Sequence, residues 1–203
     1  VKGISGGIDL LTHNQIVFIQ RGRSHLHILA EWMLQESFCS LRDNLRKFYS
    51  ALHVVELVGE FSEINDKNEP LFHLFINTLY EVANSDDPSV STLAFEIRML
   101  ALVGYMPEME HCVSCKTELD LAKFALFNAS EGGLLCQCCG SCVKERIKIS
   151  GGAIATFNCL AGKKVQRLER LKIDPSIRNE IRQLLRYYFS FLLNKELKMW
   201  KYL

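Results

Sequence analysis

Cys112-Val-Ser-Cys115 and Cys136-Gln-Cys138-Cys139, separated by the twenty residues 116–135 and followed by Gly140-Ser141-Cys142, decide how this chain is organised. Six of its eight cysteines fall in this window. Two Cys-x-x-Cys pairs about this far apart have the spacing of a four-thiolate zinc site. Each tight turn aims two sulfurs at one metal, and the fourth sulfur closes the tetrahedron, leaving no position for water or substrate. The expected site is one structural Zn²⁺ held by Cys112, Cys115, Cys136 and Cys139. Cys139/Cys142 is the competing second pair, but it lengthens the excursion from Cys115 to 23 residues. Gly140, directly after Cys139, also offers the φ > 0 conformation that a metal knuckle often needs. Cys138 and Cys142 are then spare, expected as small buried hydrophobes. His111 is an alternative ligand. A disulfide cluster is the alternative for the whole window, but it needs an oxidising compartment. No export signal is visible, so the expectation is a reducing cytoplasm.

Outward from this window the charge is lopsided. Residues 1–110 carry 8 basic and 15 acidic residues, and residues 111–203 carry 16 and 8, so a net charge of +1 hides opposed halves. Between 142 and 203 the balance is 14 basic to 5 acidic. A polyanion surface on the C-terminal part is implied, with nucleic acid the first candidate; a solvated basic helical face is the alternative. No apolar run reaches the roughly 18 residues of a membrane span, so no membrane partner is expected.

Upstream, residues 1–35 have strand character. Ile8–Thr12 and Gln15–Gln20 are short β-rich runs separated by His13-Asn14, a turn signal, and His25–Leu29 alternates polar and apolar residues. From Ser37 the period changes. Phe38, Leu41, Leu45, Phe48, Leu52 and Val55 recur at three and four, which predicts one helix to about Phe61. Pro70 opens a second helix, Asn84–Pro88 breaks it, and a third runs from near Pro88 to Gly104, a C-cap. Inside the cysteine window, Phe124–Phe127 and Leu134-Leu135 flank Gly132-Gly133 and predict a hairpin leading back to the second knuckle. A last helix begins near Pro175. The fold class is therefore α+β, mostly α, with two parts: residues 1–35, and residues 36–203 with the metal module at 111–142.

The sequence resembles the bacterial recombination mediator family RecO along essentially its whole length. The resemblance rests on Val1-Lys-Gly-Ile4, Arg21-Gly-Arg23 with Leu26-His27, Phe38-x-x-Leu41-Arg42, Glu56-Leu57, Leu71-Phe72 and Gly104-Tyr-Met-Pro107. Its specific part is Cys112-x-x-Cys115 followed by Gly132-Gly133-x-x-Cys136-x-x-Cys139. It implies an N-terminal OB-fold β-barrel, a helical domain carrying zinc, and a non-enzymatic role in DNA repair. That role is to bind single- and double-stranded DNA, anneal strands coated by single-strand binding protein, and act with RecR to load RecA at the nucleoid. Members of that family begin with further strands, so a truncated, incomplete barrel is expected here.

No catalytic constellation stands out. Asp86-Asp87 beside Pro88 reads as a charge pair at a helix start. A zinc-dependent nucleic-acid enzyme and a helical scaffold with a structural zinc are the other two readings. For DNA, Arg21 and Arg23 are candidate phosphate contacts of the strand region, with a capped solvated turn as the equal alternative. Lys144, Arg146 and Lys148 alternate, which puts them on one face of an extended segment. Lys163, Lys164, Arg167 and Arg170 follow on a helical pattern and extend the candidate phosphate surface.

Overall fold

The structure, a computed structural model, describes residues 9–22, 26–64, 66–120, 122–162 and 171–203. It is mixed, with seven helices and two small open sheets among these residues. In chain order the elements are β1 (His13–Ile19), β2 (Ile28–Glu36), α1 (Cys39–Arg42), α2 (Leu45–Phe61), α3 (Glu69–Asn84) and α4 (Ser89–Leu102). Then come β3 (Ala125–Asn128), β4 (Gly133–Leu135), α5 (Gln137–Gly140), β5 (Ile147–Ile149), α6 (Gly151–Ala161), α7 (Pro175–Leu193) and a 3-10 turn at Lys198–Lys201.

The centre of the molecule is α4. Its ten residues Val90–Ile97, Met99 and Leu100 are all buried, as suits a helix apolar on every side. It packs against α2, α3, α6 and α7. Phe127, Phe157 and Phe189 fill the space between these helices and the sheet ordered β4-β3-β5. The helix ends as its sequence suggests. Val103 N–H donates to Met99 O, Tyr105 N–H donates to Leu100 O, and Gly104 between them has φ +80°, which only glycine adopts without cost. One polar pair sits in this core: His53 of α2 meets Glu96 of α4, with the Trp200 ring against the imidazole, centroids 4.7 Å apart.

Two expectations change in the helical part. The single helix from Ser37 to Phe61 is two, because Asn44 breaks it. Asn44 has extended backbone, and its side-chain oxygen accepts from Arg46 N–H and Lys47 N–H. An N-cap of this kind is worth about 1 kcal/mol, so it competes with continuing the helix through α1. The short α1 instead seats Phe38 and Leu41 in a second, smaller core with Leu11, Ala51, Leu79 and Val82.

The N-terminal part differs too. His13 and Asn14 lie inside β1, and the turn comes earlier, at residues 9–12. There Asp9 accepts from Leu10 N–H and from Thr12 Oγ1, and Leu11 takes φ 57°. β1 and β2 form an antiparallel ribbon. Among the described residues it is a two-stranded hairpin and not a closed barrel. Apolar residues stay exposed on both of its faces, including Ile16, Val17, Phe18 and Ile19. Arg42 ties the ribbon's approach to α1 through Asp9 at 3.3 Å and the Leu10 carbonyl at 3.0 Å.

Candidate metal centre

The hairpin expected inside the cysteine window is present as β3 and β4, and it brings the two knuckles together. The turn after β3 is closed by Asn128, whose Oδ1 accepts from Ser130 Oγ and Glu131 N–H, both at 2.7 Å. Gly132 follows with φ +70°. Segment 108–113 then lies along β4: Leu134 N–H donates to Glu108 O, and Val113 N–H donates to Leu134 O. Gly133 allows this approach, because a Cβ there would stand 2.6 Å from Glu108 O and 2.8 Å from Val113 Cγ1. The first knuckle thus hangs from one edge of β4, and the second begins where β4 ends, at Cys136.

Each knuckle is a closed turn. In the first, Lys116 N–H donates to Cys112 O and Cys112 N–H to Thr117 O, with Lys116 at φ 61°. In the second, Gly140 N–H donates to Cys136 O, and Cys139 N–H donates to Cys136 Sγ. Gly140 does not take the positive φ expected of it. It is needed for closeness instead, since a Cβ there would meet Leu126 Cδ1 at 2.6 Å.

The sulfurs of Cys112, Cys115, Cys136 and Cys139 lie within 4.8 Å of one another, and Cys115 Sγ is 3.9 Å from Cys136 Sγ. A tetrahedral zinc with bonds of about 2.3 Å separates its sulfurs by about 3.8 Å. The donor set and its spacing fit such an ion, and the four cysteines can hold a metal. Their protonation is divided. Hydrogen bonds from the Thr117 side chain and backbone draw Cys115 down to about 6. A hydrogen bond with Cys136 pushes Cys139 up to about 12. At Cys112 burial acts upward but backbone N–H groups outweigh it, and the net direction is down. Four thiolates do not share this space without a cation.

The neighbouring candidates stand apart from this group. His111 Nδ1 is 3.9 Å from Glu108 Oε1, and Glu108 also accepts from the backbone N–H groups of Glu110 and His111. All eight cysteines are free thiols, and Cys138 and Cys142 are exposed. The expectation that these two are buried hydrophobes is corrected: the second knuckle turns outward at both positions.

Lys144, Arg146 and Lys148 are all exposed, but two of them are engaged within the module. Arg146 Nη1 donates to the carbonyls of Gly140 at 2.8 Å and Ser141 at 3.0 Å, and to that of Val143. Lys148 Nζ stands 3.9 Å from the Phe124 ring centroid, a cation–π contact. Arg21 is exposed just after β1. Arg23, Lys163, Lys164, Arg167 and Arg170 lie outside the described residues.

Sequence reasoning missed a further basic cluster, formed by Arg178 and Arg182 of α7 with Arg46 of α2 around one cleft. A signal was present in Arg178, Arg182 and Arg186, spaced by four along the last helix. Asp87 belongs to the same cleft. Burial raises its pKa, but hydrogen bonds from Ser89 and the Arg178 guanidinium outweigh that and hold it below 3.8.

Residues 42–201 match the family described as "Recombination protein O C terminal". Proteins named "DNA repair protein RecO" are similar over nearly the whole chain. The one from Dehalococcoides mccartyi is 30% identical across 96% of this chain and 76% of its own length. That from Pelotomaculum thermopropionicum is 29% identical across 98% and 75%, and that from Desulforamulus reducens 28% across 89% and 69%.

Proposed function

Because the chain belongs to the RecO family of DNA repair proteins, we propose that it works as a recombination mediator. In this reading it binds single- and double-stranded DNA and anneals complementary strands coated by single-strand binding protein. With RecR it then helps to load RecA, in the cytoplasm at the nucleoid. The observation that carries the reading is similarity to named DNA repair proteins along 96% of the chain.

The chemistry of the site supports a binding protein rather than an enzyme. Zinc held by Cys112, Cys115, Cys136 and Cys139 would be saturated by sulfur, with no open position at which to activate water. Its contribution is to fold, because binding energy for a structural zinc is folding energy. The rival reading of a zinc-dependent nucleic-acid enzyme needs a histidine ligand and a water, and His111 is turned to Glu108 instead. The β1–β2 hairpin belongs, in this reading, to an OB-fold. Apolar side chains exposed on both of its faces support that, since a barrel would cover one of them. No helix among the described residues is long and apolar enough to cross a membrane.

The test is strand annealing. Two complementary labelled oligonucleotides, each pre-coated with single-strand binding protein, are mixed with the purified zinc-containing chain. Duplex formation well above the uncatalysed rate is expected. A rate unchanged at saturating protein, together with no measurable DNA binding, overturns the reading.

A further inference from the structure

The four sulfurs of the candidate metal centre are unequally protected. Cys112 is buried, Cys136 and Cys139 are half-buried, and Cys115 is exposed. Four thiolates outnumber the charge of one Zn²⁺, and hydrogen-bond donors around such ligands relieve the excess and fix their orientation. Cys136 receives a donor from the backbone, Cys139 N–H at 3.4 Å. At Cys115 the partner is a side chain: Thr117 Oγ1 lies 3.3 Å from Cys115 Sγ. A thiolate has no proton to give, so with metal bound the hydroxyl turns to donate and the sulfur accepts.

The place of that hydroxyl is built into the fold. Segment 110–112 runs antiparallel to segment 117–119. Leu119 N–H donates to Glu110 O at 3.1 Å, Cys112 N–H donates to Thr117 O at 2.9 Å, and His111 bridges to Glu118 between them. Lys116, at φ 61°, turns the chain into this ladder, and its own N–H donates to Cys112 O. Thr117 therefore touches both ligands of the first knuckle, Cys112 through its carbonyl and Cys115 through its hydroxyl. Its branched Cβ restricts χ1, so little ordering remains when the hydroxyl meets the sulfur. Serine would bring the same donor with more rotamers, and valine the same shape without the donor. Thr117 is exposed, so core packing does not account for the contact.

We propose that Thr117 is a positioning residue of the metal centre: its hydroxyl holds the Cys115 sulfur and sets how readily the exposed side of the centre releases its ion. The proposal rests on the four-cysteine zinc reading above and adds a residue to it. A hydrogen bond to an ionised acceptor is roughly twice as strong as a neutral one. Partners one layer out from a metal typically change its affinity by about 10- to 100-fold when removed. A competing ligand reaches an exposed sulfur before a buried one, so release begins at Cys115, and the hydroxyl acts at that step.

Transfer of zinc from the loaded full chain to a chromophoric chelator tests this, with the Co²⁺-substituted chain as the spectroscopic check. Thr117→Val should still take up about one equivalent of metal and release it about tenfold faster or more. Its sulfur-to-cobalt charge-transfer band should move to lower energy, because a thiolate without its hydrogen bond gives up electron density more readily. A change in packing alone leaves that band in place. Thr117→Ser should bring both the rate and the band back close to wild type. If Thr117→Val prevents loading, Thr117→Ser and Thr117→Ala decide, with release about tenfold faster in Thr117→Ala. Wild-type release and an unshifted band in Thr117→Val overturn the proposal, and so do equal rates in Thr117→Ser and Thr117→Ala. A wild-type chain that takes up neither zinc nor cobalt brings down the metal reading and this proposal with it. If the wild type loads and the Thr117 variants match it, only this proposal falls.

Discussion

His53 Nε2 of α2 lies 2.5 Å from Glu96 Oε1 of α4, and both side chains are closed off from solvent. Their remaining polar atoms, His53 Nδ1 and Glu96 Oε2, have no hydrogen-bond partner among the described residues. A buried pair of this kind joins the two helices at one register, but desolvation offsets much of its attraction. Removing one member is far worse than removing both. We expect His53→Ala or Glu96→Ala to destabilise the protein by about 3–5 kcal/mol in urea unfolding. His53→Leu/Glu96→Leu should cost much less than the sum of the single changes. Additive penalties in this cycle would show that the pair does not act as a unit.

Zinc content tests the cysteine module directly. About one equivalent per chain is expected, lost in Cys115→Ser and Cys136→Ser and kept in Cys142→Ala and Cys138→Ala. Because a metal on all four sulfurs would tie the two knuckles together, a strong chelator should lower the melting temperature of the wild type and have little effect on Cys115→Ser. Loss of metal in Cys142→Ala would move the ligand set to the other pair.

The glycines make a graded series. Gly133→Ala places a Cβ 2.6 Å from the Glu108 carbonyl, which is backbone and cannot yield. Overpacking of this sort costs about 1–3 kcal/mol, and here the strain falls on the contact that carries the first knuckle. Zinc release to a chelator should therefore quicken. Gly59→Ala, on the exposed side of α2 with nothing within 4 Å, should instead stabilise by about 0.5–1 kcal/mol. Equal melting temperatures for the two variants would contradict the close approach at β4.

Most of the helical architecture and the gathering of the four cysteines were legible in the sequence, because period and spacing carry them. Leu93, Ile97, Leu100 and Ala101 fall on one face of the run after Pro88 and mark a helix with a buried side, and Gly104 marks its end. The structure buries this helix nearly all round instead, while Ala101 at its last turn is exposed. The glycine pair and the second cysteine pair set the hairpin and the knuckle. What escaped depends on contacts between distant residues. Asn44 reads as one polar position in an amphipathic repeat until its side chain is seen capping α2. Gly140 was read for its backbone freedom, but its reason is Leu126, fourteen residues away. Arg146 looked like a free charge in an alternating row, and the carbonyls that bind it are local but invisible to a charge count. The arginine cleft joins α2, α4 and α7 across more than a hundred residues, and no window of sequence contains it.

Asp87 gives the fold a specific acid sensitivity. Its carboxylate accepts from Ser89 and pairs with Arg178, so its pKa lies lower folded than unfolded. A depressed carboxylate contributes stability that is fully present above its ordinary value near 3.8 and fades as pH falls through the folded value. Asp87→Asn should accordingly cost stability at pH 6 and progressively less below about pH 4. Comparing the variant with wild type at each pH cancels any metal loss common to both. A penalty independent of pH would mean that the pair contributes packing and not charge.

Arg146 and Lys144 lie two residues apart and should behave oppositely. Arg146 Nη1 binds the Gly140, Ser141 and Val143 carbonyls, so it closes the second knuckle from below. Lys144 is exposed, and among the described residues no carboxylate pairs with it. We expect Arg146→Gln to speed zinc loss to a chelator and lower the melting temperature, with the salt slope of DNA binding unchanged. Lys144→Gln should leave zinc and stability as they are. If Lys144 meets a phosphate, its slope should fall by about 0.7 for a single strand. The reverse pattern, a flattened slope with intact zinc retention in Arg146→Gln, would show that this guanidinium leaves its three carbonyls to bind DNA.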